Sequence, residues 1–189
     1  MSILKTICSR RSIFPAQYTS DPIPQEEIHA LLEAANWAPT HRKTEPWRFY
    51  VIQGDQRQKL GKFLAEKYRE TDAKFSEFKY KKILHKPQQA AAVIAIVMQR
   101  CPKQSVPEWE EVAATAMAVQ NLWLLATEKG LGGYWSSPKL AEYMPEFLDM
   151  QSGEKCLGFF YLGNYDGNAP MREPTPIADK IVWLGESTD

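Results

Sequence analysis

The sequence predicts an α+β domain, a small mixed sheet flanked by helices, on three observations. Short apolar runs at 48–52, 90–98 and 156–163 are separated by longer stretches of helical periodicity, in the order αα-β-αα-β-α-β-β. The run AAAVIAIVM over 90–98 has no polar alternation, so both of its faces need covering. And 189 residues, 44% of them hydrophobic and 24% charged, match an ordinary globular chain long enough for one core without staples.

Each element has a local reason. Ile3, Leu4 and Ile7 fall at helical spacing over 2–9, and the run stops at Arg10-Arg11-Ser12. Asp21-Pro22-Ile23-Pro24 breaks the chain, and Gln25-Glu26-Glu27 then puts acids in a first turn, where the helix dipole favours them. Ile28, Leu31, Leu32 and Ala35 give that helix one apolar stripe to about Asn36, and Pro39 prevents continuation. After Arg48, residues 49–52 are all aromatic or β-branched, and the run ends at Gly54-Asp55, a strand and turn. Residues 56–83 carry 13 charges among 28, which fits exposed helix broken near Thr71-Asp72. After a loop at Pro102 and Pro107, the longest helical pattern runs from Glu108 to Lys129 and ends at Gly130, where positive φ costs a glycine little. Tyr134 to Ser137 reads as a short strand or loop, Pro138 opens a short helix, and 156–163 is the last strand before a proline-rich tail.

Several function classes are disfavoured. Lys plus Arg and Asp plus Glu both total 23, so the excess of cations that phosphate backbones require is missing. Cys8, Cys101 and Cys156 are odd in number and far apart, against a disulfide framework or a cysteine metal site, and a reducing, cytoplasmic setting is expected. The N-terminal residues lack the apolar segment of a secretory signal. The most apolar long stretch, 112–126, is interrupted by Thr115, Gln120 and Asn121 and is short for a membrane span, so no membrane partner is expected. No phosphate-binding loop, zinc-protease helix or serine elbow occurs, and Gly130-x-Gly132-Gly133 follows a helix, unlike a dinucleotide fingerprint.

Two clusters could carry chemistry. Ser9-Arg10-Arg11-Ser12 offers two guanidinium forks and two hydroxyls, suited to a phosphate or equally to a basic surface patch. Thr40, His41, Arg42 and Lys43 gather donors in one loop entering a strand, where a rigid scaffold commonly positions binding groups. His29 and His85 read as solvated or capping residues, and Glu108, Glu110 and Glu111 as a solvated helix start.

Three segments together carry a resemblance. The opening helix with Arg10-Arg11-Ser12, the loop Ala38-Pro39 followed by Pro46-Trp47-Arg48-Phe49, and the helix end Gly130-x-Gly132-Gly133-Tyr134-Trp135 resemble the FMN-dependent nitroreductase family. The likeness is greatest to its short branch of small NAD(P)H nitroreductases and runs from Ile3 to about Gly163.

The resemblance implies a three-layer α-β-α sandwich with a mixed, mainly antiparallel sheet, forming a homodimer with FMN at the subunit interface. It implies one nitroreductase-like domain over 1–189, with the tail 165–189 wrapping the partner. Arg10, Arg11 and Ser12 match the phosphate and ribityl segment; Trp37, His41 and Lys43 fall along the flavin; Trp135, Ser136 and Ser137 match the segment that reaches the flavin from the other subunit. Leu125, Ala126, Thr127, Glu128, Lys129 and Gly130 align with a stretch ascribed to nicotinamide-cofactor binding. FMN would carry the hydride chemistry, with no catalytic protein residue and no metal, and Lys43 would tune the flavin by stabilising the charge of the reduced ring. The implied activity is reduction of nitroaromatics, quinones or similar electrophiles by NADH or NADPH in a ping-pong cycle. The alternatives are an FMN-holding or redox-sensing protein, or a flavin-destroying or dehalogenating relative. Phe14 stands where many relatives have an arginine, so Arg172 or Lys180 is expected to supply a phosphate contact, and Glu45 to meet the flavin or pair with Arg42 or Arg48.

Overall fold

The computed structural model describes residues 2–167, 169 and 171–185. Its first helix, α1, spans Ile3–Ser9 and is capped by Ser2, whose Oγ accepts from the Lys5 amide. Helix α2, Gln25–Asn36, starts behind Pro24 with Glu26 and Glu27 in its first turn and buries Ile28, Leu31 and Ala35. Strand β1 is Trp47–Ile52. The charged segment forms α3, Asp55–Thr71, and α4, Glu77–His85, broken where expected; Ser76 caps α4 by accepting from the Lys79 amide. Strand β2 is Ala92–Gln99, α5 is Glu108–Glu128, β3 is Gly132–Ser136 and β4 is Glu154–Gly163, with a 3-10 segment, Lys139–Glu146, before β4.

The sheet order is β1-β2-β4-β3, and all three neighbouring pairs are antiparallel. The parallel component of the expected mixed sheet is confined to an isolated bridge between Ser12 and Gly133, which ties the segment after α1 to the sheet edge. There the Ile13 amide donates to the Gly133 carbonyl at 3.0 Å.

The unalternating run of β2 is explained by two cores. Ala92, Ile94 and Ile96 pack with residues of α2 and α5, while Val93 and Ala95 face Leu60 and Leu64 of α3 and Ala141 and Met144 of the 3-10 segment. Helices therefore cover both sheet faces, giving the three layers. Each fully buried Ile or Phe of this kind contributes about 1.5–3 kcal/mol, so the central strands β2 and β4 anchor the fold.

Helix α5 buries Ala114, Ala118, Val119, Leu122 and Ala126 but leaves Trp109 and Met117 exposed. Ile3, Leu4 and Ile7 of α1 and Trp37 at the end of α2 are also exposed, Trp37 by 85%. Ile3, Trp37 and Leu125 line one groove of about 390 Å³ between α1, α2 and α5. Among the described residues, no helix is long and apolar enough to cross a membrane.

Candidate functional site

Strand β3 brings two of the expected groups together. At its start, the Ser12–Gly133 bridge seats Arg10-Arg11-Ser12 against the sheet. The approach is close: a Cβ on Gly133 would come within 2.8 Å of Trp123 Nε1. At its far end stand Ser136 and Ser137, three and four residues on, or about 10–13 Å at strand rise. Gly158 of β4, at φ 134°, supports that end; a Cβ there would sit 2.4 Å from the Ser136 carbonyl. Side chains alternate along β3. Trp135 packs with the α5 core, whereas Ser136 turns to the opposite face and meets Lys86.

Arg10 is in a crowded cationic setting. Its guanidinium lies 4.4 Å from the centre of the Trp123 ring, a cation–π contact at the C-terminal part of α5. Burial, then the charges of Arg172 and Arg11, hold its pKa below the usual arginine value. Arg172 is thus close enough for its field to be felt at Arg10. Phe14 itself packs on Tyr134, with ring centres 4.6 Å apart. Arg11 donates to the carbonyls of Cys8 and Arg10 at 2.7 and 2.9 Å, closing the end of α1. Trp123 Nε1, beneath Arg10, is buried without a hydrogen-bond acceptor among the described residues. Two guanidiniums, a hydroxyl-bearing Ser12 and a tail arginine form a donor set that suits a phosphate dianion.

The 40–45 loop is built differently. Arg42, Lys43 and Glu45 all adopt positive φ, 52°, 53° and 42°, conformations costly for residues with a Cβ and maintained only where the surroundings impose them. His41 Nδ1 lies 2.6 Å from Glu110 Oε2, and Arg42 donates to the Ser105 carbonyl at 2.9 Å. Both contacts are at the N-terminal end of α5. Glu110 and Trp123 are thirteen residues apart, about 20 Å along the helix, so His41 and Arg10 stand at opposite ends of it. The expected pairing of Glu45 with Arg42 or Arg48 is not made through its carboxylate; Arg48 donates instead to the Glu45 carbonyl at 2.9 Å.

The three glutamates expected to be a solvated helix start each have a partner. Glu108 pairs with Lys155 at 3.0 Å and Glu110 with His41. Glu111 is fully buried, where it accepts from Arg100 and from the Cys101 amide. The end of β2 delivers Arg100 to the first turn of α5, a meeting that spacing along the chain does not reveal. The Leu125–Gly130 stretch is largely occupied by the helix end. Ala126 is buried, Thr127 donates to the Trp123 carbonyl, Lys129 reaches Glu27 at 3.4 Å, and Gly130 ends the helix at φ 76°. Leu125 and Glu128 line the groove with Trp37. His29 sits beside Glu33 on the surface of α2.

Sequence reasoning missed Lys86. It follows α4 directly, and its Nζ lies 3.2 Å from Ser136 Oγ and 4.7 Å from the ring centres of Tyr134 and Tyr161. Burial, with Lys82 adding repulsion, pushes its pKa down to about 8. The only signal in the sequence is a lysine placed directly before Pro87 at the entry to a buried strand.

A cluster of arginines, a cavity beside Lys86 and an exposed apolar face mark this domain of the α-β-α class. The Nitroreductase family profile matches residues 7–164. Over 187 residues the chain is 31% identical to "Putative NAD(P)H nitroreductase YfhC" of Bacillus subtilis, covering 97% of this chain and 95% of that protein. The crystal structure of a nitroreductase-like family protein from Bacillus cereus superposes with a TM-score of 0.81 at 29% identity, covering 98% and 97% of the two chains. A nitroreductase structure from Desulfovibrio desulfuricans, in complex with FMN, shares the fold with a TM-score of 0.75 at 24% identity and 98% coverage of both chains. The chain belongs to the nitroreductase family and is an oxidoreductase.

Proposed function

We propose that this chain is an FMN-dependent oxidoreductase that takes reducing equivalents from NADH or NADPH and delivers them to nitroaromatic, quinone or similar electrophilic small molecules, one substrate leaving before the next binds. The observation that carries the reading is Arg10 standing over Trp123, whose indole N–H is buried without an acceptor among the described residues, in the fields of Arg172 and Arg11 and next to the Ser12–Gly133 bridge. Such a site repays the cost of its own repulsion when an anion enters it. The FMN held by the Desulfovibrio relative and the printed name of the Bacillus relative point the same way.

Bound FMN would supply the two-electron hydride chemistry that links the nicotinamide to the acceptor. The chain's own groups bind and orient. Arg10, with Arg172 and Ser12, would hold the phosphate, and because β3 carries Ser136 and Ser137 on the same chain as that cradle, they would meet the flavin from this chain and not, as the resemblance implied, from the other subunit. A nitro acceptor takes two electrons and two protons per cycle, giving nitroso and water, while NADH or NADPH is oxidised.

The unit is a homodimer. A two-fold axis across α5 sets the two copies of that helix antiparallel, so the N-terminal end of one meets the C-terminal end of the other. The His41–Lys43 loop of one chain then approaches the cradle of its partner, and Lys43 is set to stabilise the reduced ring. The same packing covers Trp37, Trp109, Met117 and the apolar side of α1. The tail, whose residues 168, 170 and 186–189 lie outside the described set, wraps the partner with its exposed Val182, Trp183 and Leu184. The cytoplasm suits the three unpaired cysteines.

The test is direct. The purified protein is expected to be yellow with flavin absorbance, and to bleach when NADH or NADPH is added without oxygen. A colourless protein that fails to bind added FMN overturns the proposal.

A further inference from the structure

The net charge of zero hides an uneven distribution. No Asp or Glu occurs between Gln56 and Ala65 or between Phe78 and Pro107, and these stretches hold the parts of α3 and α4 that pack on each other. The two helices meet at Gly61, where a Cβ would collide with the Leu84 carbonyl oxygen. Beside that contact lies a groove of about 390 Å³ lined by Gln58, Lys59, Lys62, Leu84, His85 and Gln88. It is separate from the cavity beside Lys86: Ile83 and Lys86 line the cavity, whereas Leu84 and His85 line the groove.

The groove holds cations and no acid. Among the described residues, Lys59, Lys62, His85 and, one turn back on α4, Lys82 have no carboxylate within ion-pair distance. The neighbouring cations are engaged: Arg57 donates to the Gly54 and Ala90 carbonyls, and Lys81 pairs with Glu77 at 3.5 Å. The acid one turn on from Lys62, Glu66, is taken by Arg69 and Tyr80. Asp55, one turn before Lys59, forms no ion pair with it. The helix dipole accounts for Lys82 and His85 in the last turn of α4, but not for Lys59 and Lys62 in the body of α3. Three residues apart, those two lysines share one face of the helix, and both are exposed.

We propose that this groove docks an acidic segment of another protein, its carboxylates meeting Lys59, Lys62 and His85 and an apolar side chain meeting the half-buried Leu84. Two features select protein over phosphate. The unpaired cations are lysines and a histidine, whereas the nearby Arg57, whose fork would grip a phosphate bidentately, is committed to backbone carbonyls. A nucleic-acid backbone, moreover, demands a cation excess that this chain lacks. The groove lies on the sheet face that α3 covers, opposite α5, so pairing across α5 leaves it open on both copies. The inference goes beyond the flavin reading and does not depend on it. Such a surface acts mainly on encounter rate and partner choice, and salt weakens it.

The test is fluorescence anisotropy of a short labelled peptide of glutamates around a central leucine, titrated with the purified chain. Saturable binding is expected, weakening about tenfold or more as salt rises from about 20 to about 200 mM. Lys59→Gln/Lys62→Gln lowers the affinity about tenfold, and Lys103→Gln, which removes a cation elsewhere, leaves it unchanged. Lys59→Glu/Lys62→Glu loses the glutamate peptide and binds its lysine counterpart, a gain that a misfolded variant would not show. No binding of the glutamate peptide, an affinity that Lys59→Gln/Lys62→Gln does not move, or no lysine-peptide binding by the charge-reversed variant overturns the proposal. Inorganic phosphate or duplex DNA that competes as well as the glutamate peptide at equal charge overturns the choice of an acidic protein partner.

Discussion

The two ends of α5 use the same residue types in opposite ways. At its N-terminal end, the polar groups are consumed by the protein itself: His41 by Glu110, Arg42 by the Ser105 carbonyl and Arg100 by the buried Glu111. At its C-terminal end, Arg10 stands over Trp123 in the fields of Arg172 and Arg11, which oppose its charge. A cation with an internal partner shapes a loop. One surrounded by other cations is held ready for an anion from outside. The difference teaches that charge content in a sequence is a poor guide to binding until partners are known.

The largest effect should come from the N-terminal end. Glu111→Ala leaves Arg100 without its buried partner and the Cys101 amide without an acceptor, and is expected to cost about 3–5 kcal/mol, read by urea denaturation. A loss below 1 kcal/mol would remove Glu111 from its structural role. Arg10→Ala inverts the pattern. Stability should hold or improve as like charges separate, while FMN affinity falls about 10–100-fold, equivalent to 1.5–3 kcal/mol for a lost charged hydrogen bond. Fluorescence titration of FMN checks this, and an unchanged Kd would remove the phosphate assignment.

Smaller effects sharpen the comparison. Lys86 has a folded-state pKa near 8 against an ordinary 10.5, so between these values the unfolded chain carries a proton that the folded chain lacks. Stability of the flavin-free protein should therefore rise with pH across that window, and the desolvation cost is fully present below it. Melting curves of wild type and Lys86→Met, taken as a difference, should show this contribution, and parallel pH profiles would contradict the burial of Lys86. Glu110→Gln is the mildest change, since its partner His41 is more than half exposed, and should cost no more than about 1 kcal/mol. Its signature is a weaker response of the flavin to the 40–45 loop, measured as a shift in reduction potential with FMN content unchanged.

Much of the architecture was legible along the chain. The apolar runs, the proline breaks, the helix-ending Gly130 and the uninterrupted 90–98 stretch each report a local or nearest-neighbour requirement, and the elements appear within two residues of where those signals put them. The cradle was half legible. Arg10-Arg11-Ser12 is visible as a doublet with hydroxyls, but Trp123 and Arg172 come to it only through folding. The acids at 108–111 misled, because a helix start rich in glutamate looks solvated until β2 is seen to deliver Arg100 against it. Lys86 escaped notice because its place directly before Pro87 is the only local feature that sets it apart from the lysines of α4, and that feature says nothing of its burial.

The sequence by itself determined the kind of domain, the order of its elements and one candidate anion-binding segment, since backbone periodicity and turn chemistry act between residues a few positions apart. Tertiary structure alone decided which charges are spent and which remain available. That choice depends on burial and on partners such as Lys86 and Ser136, fifty positions apart in the chain yet 3.2 Å apart in the cavity, where loss of water makes a single ammonium matter.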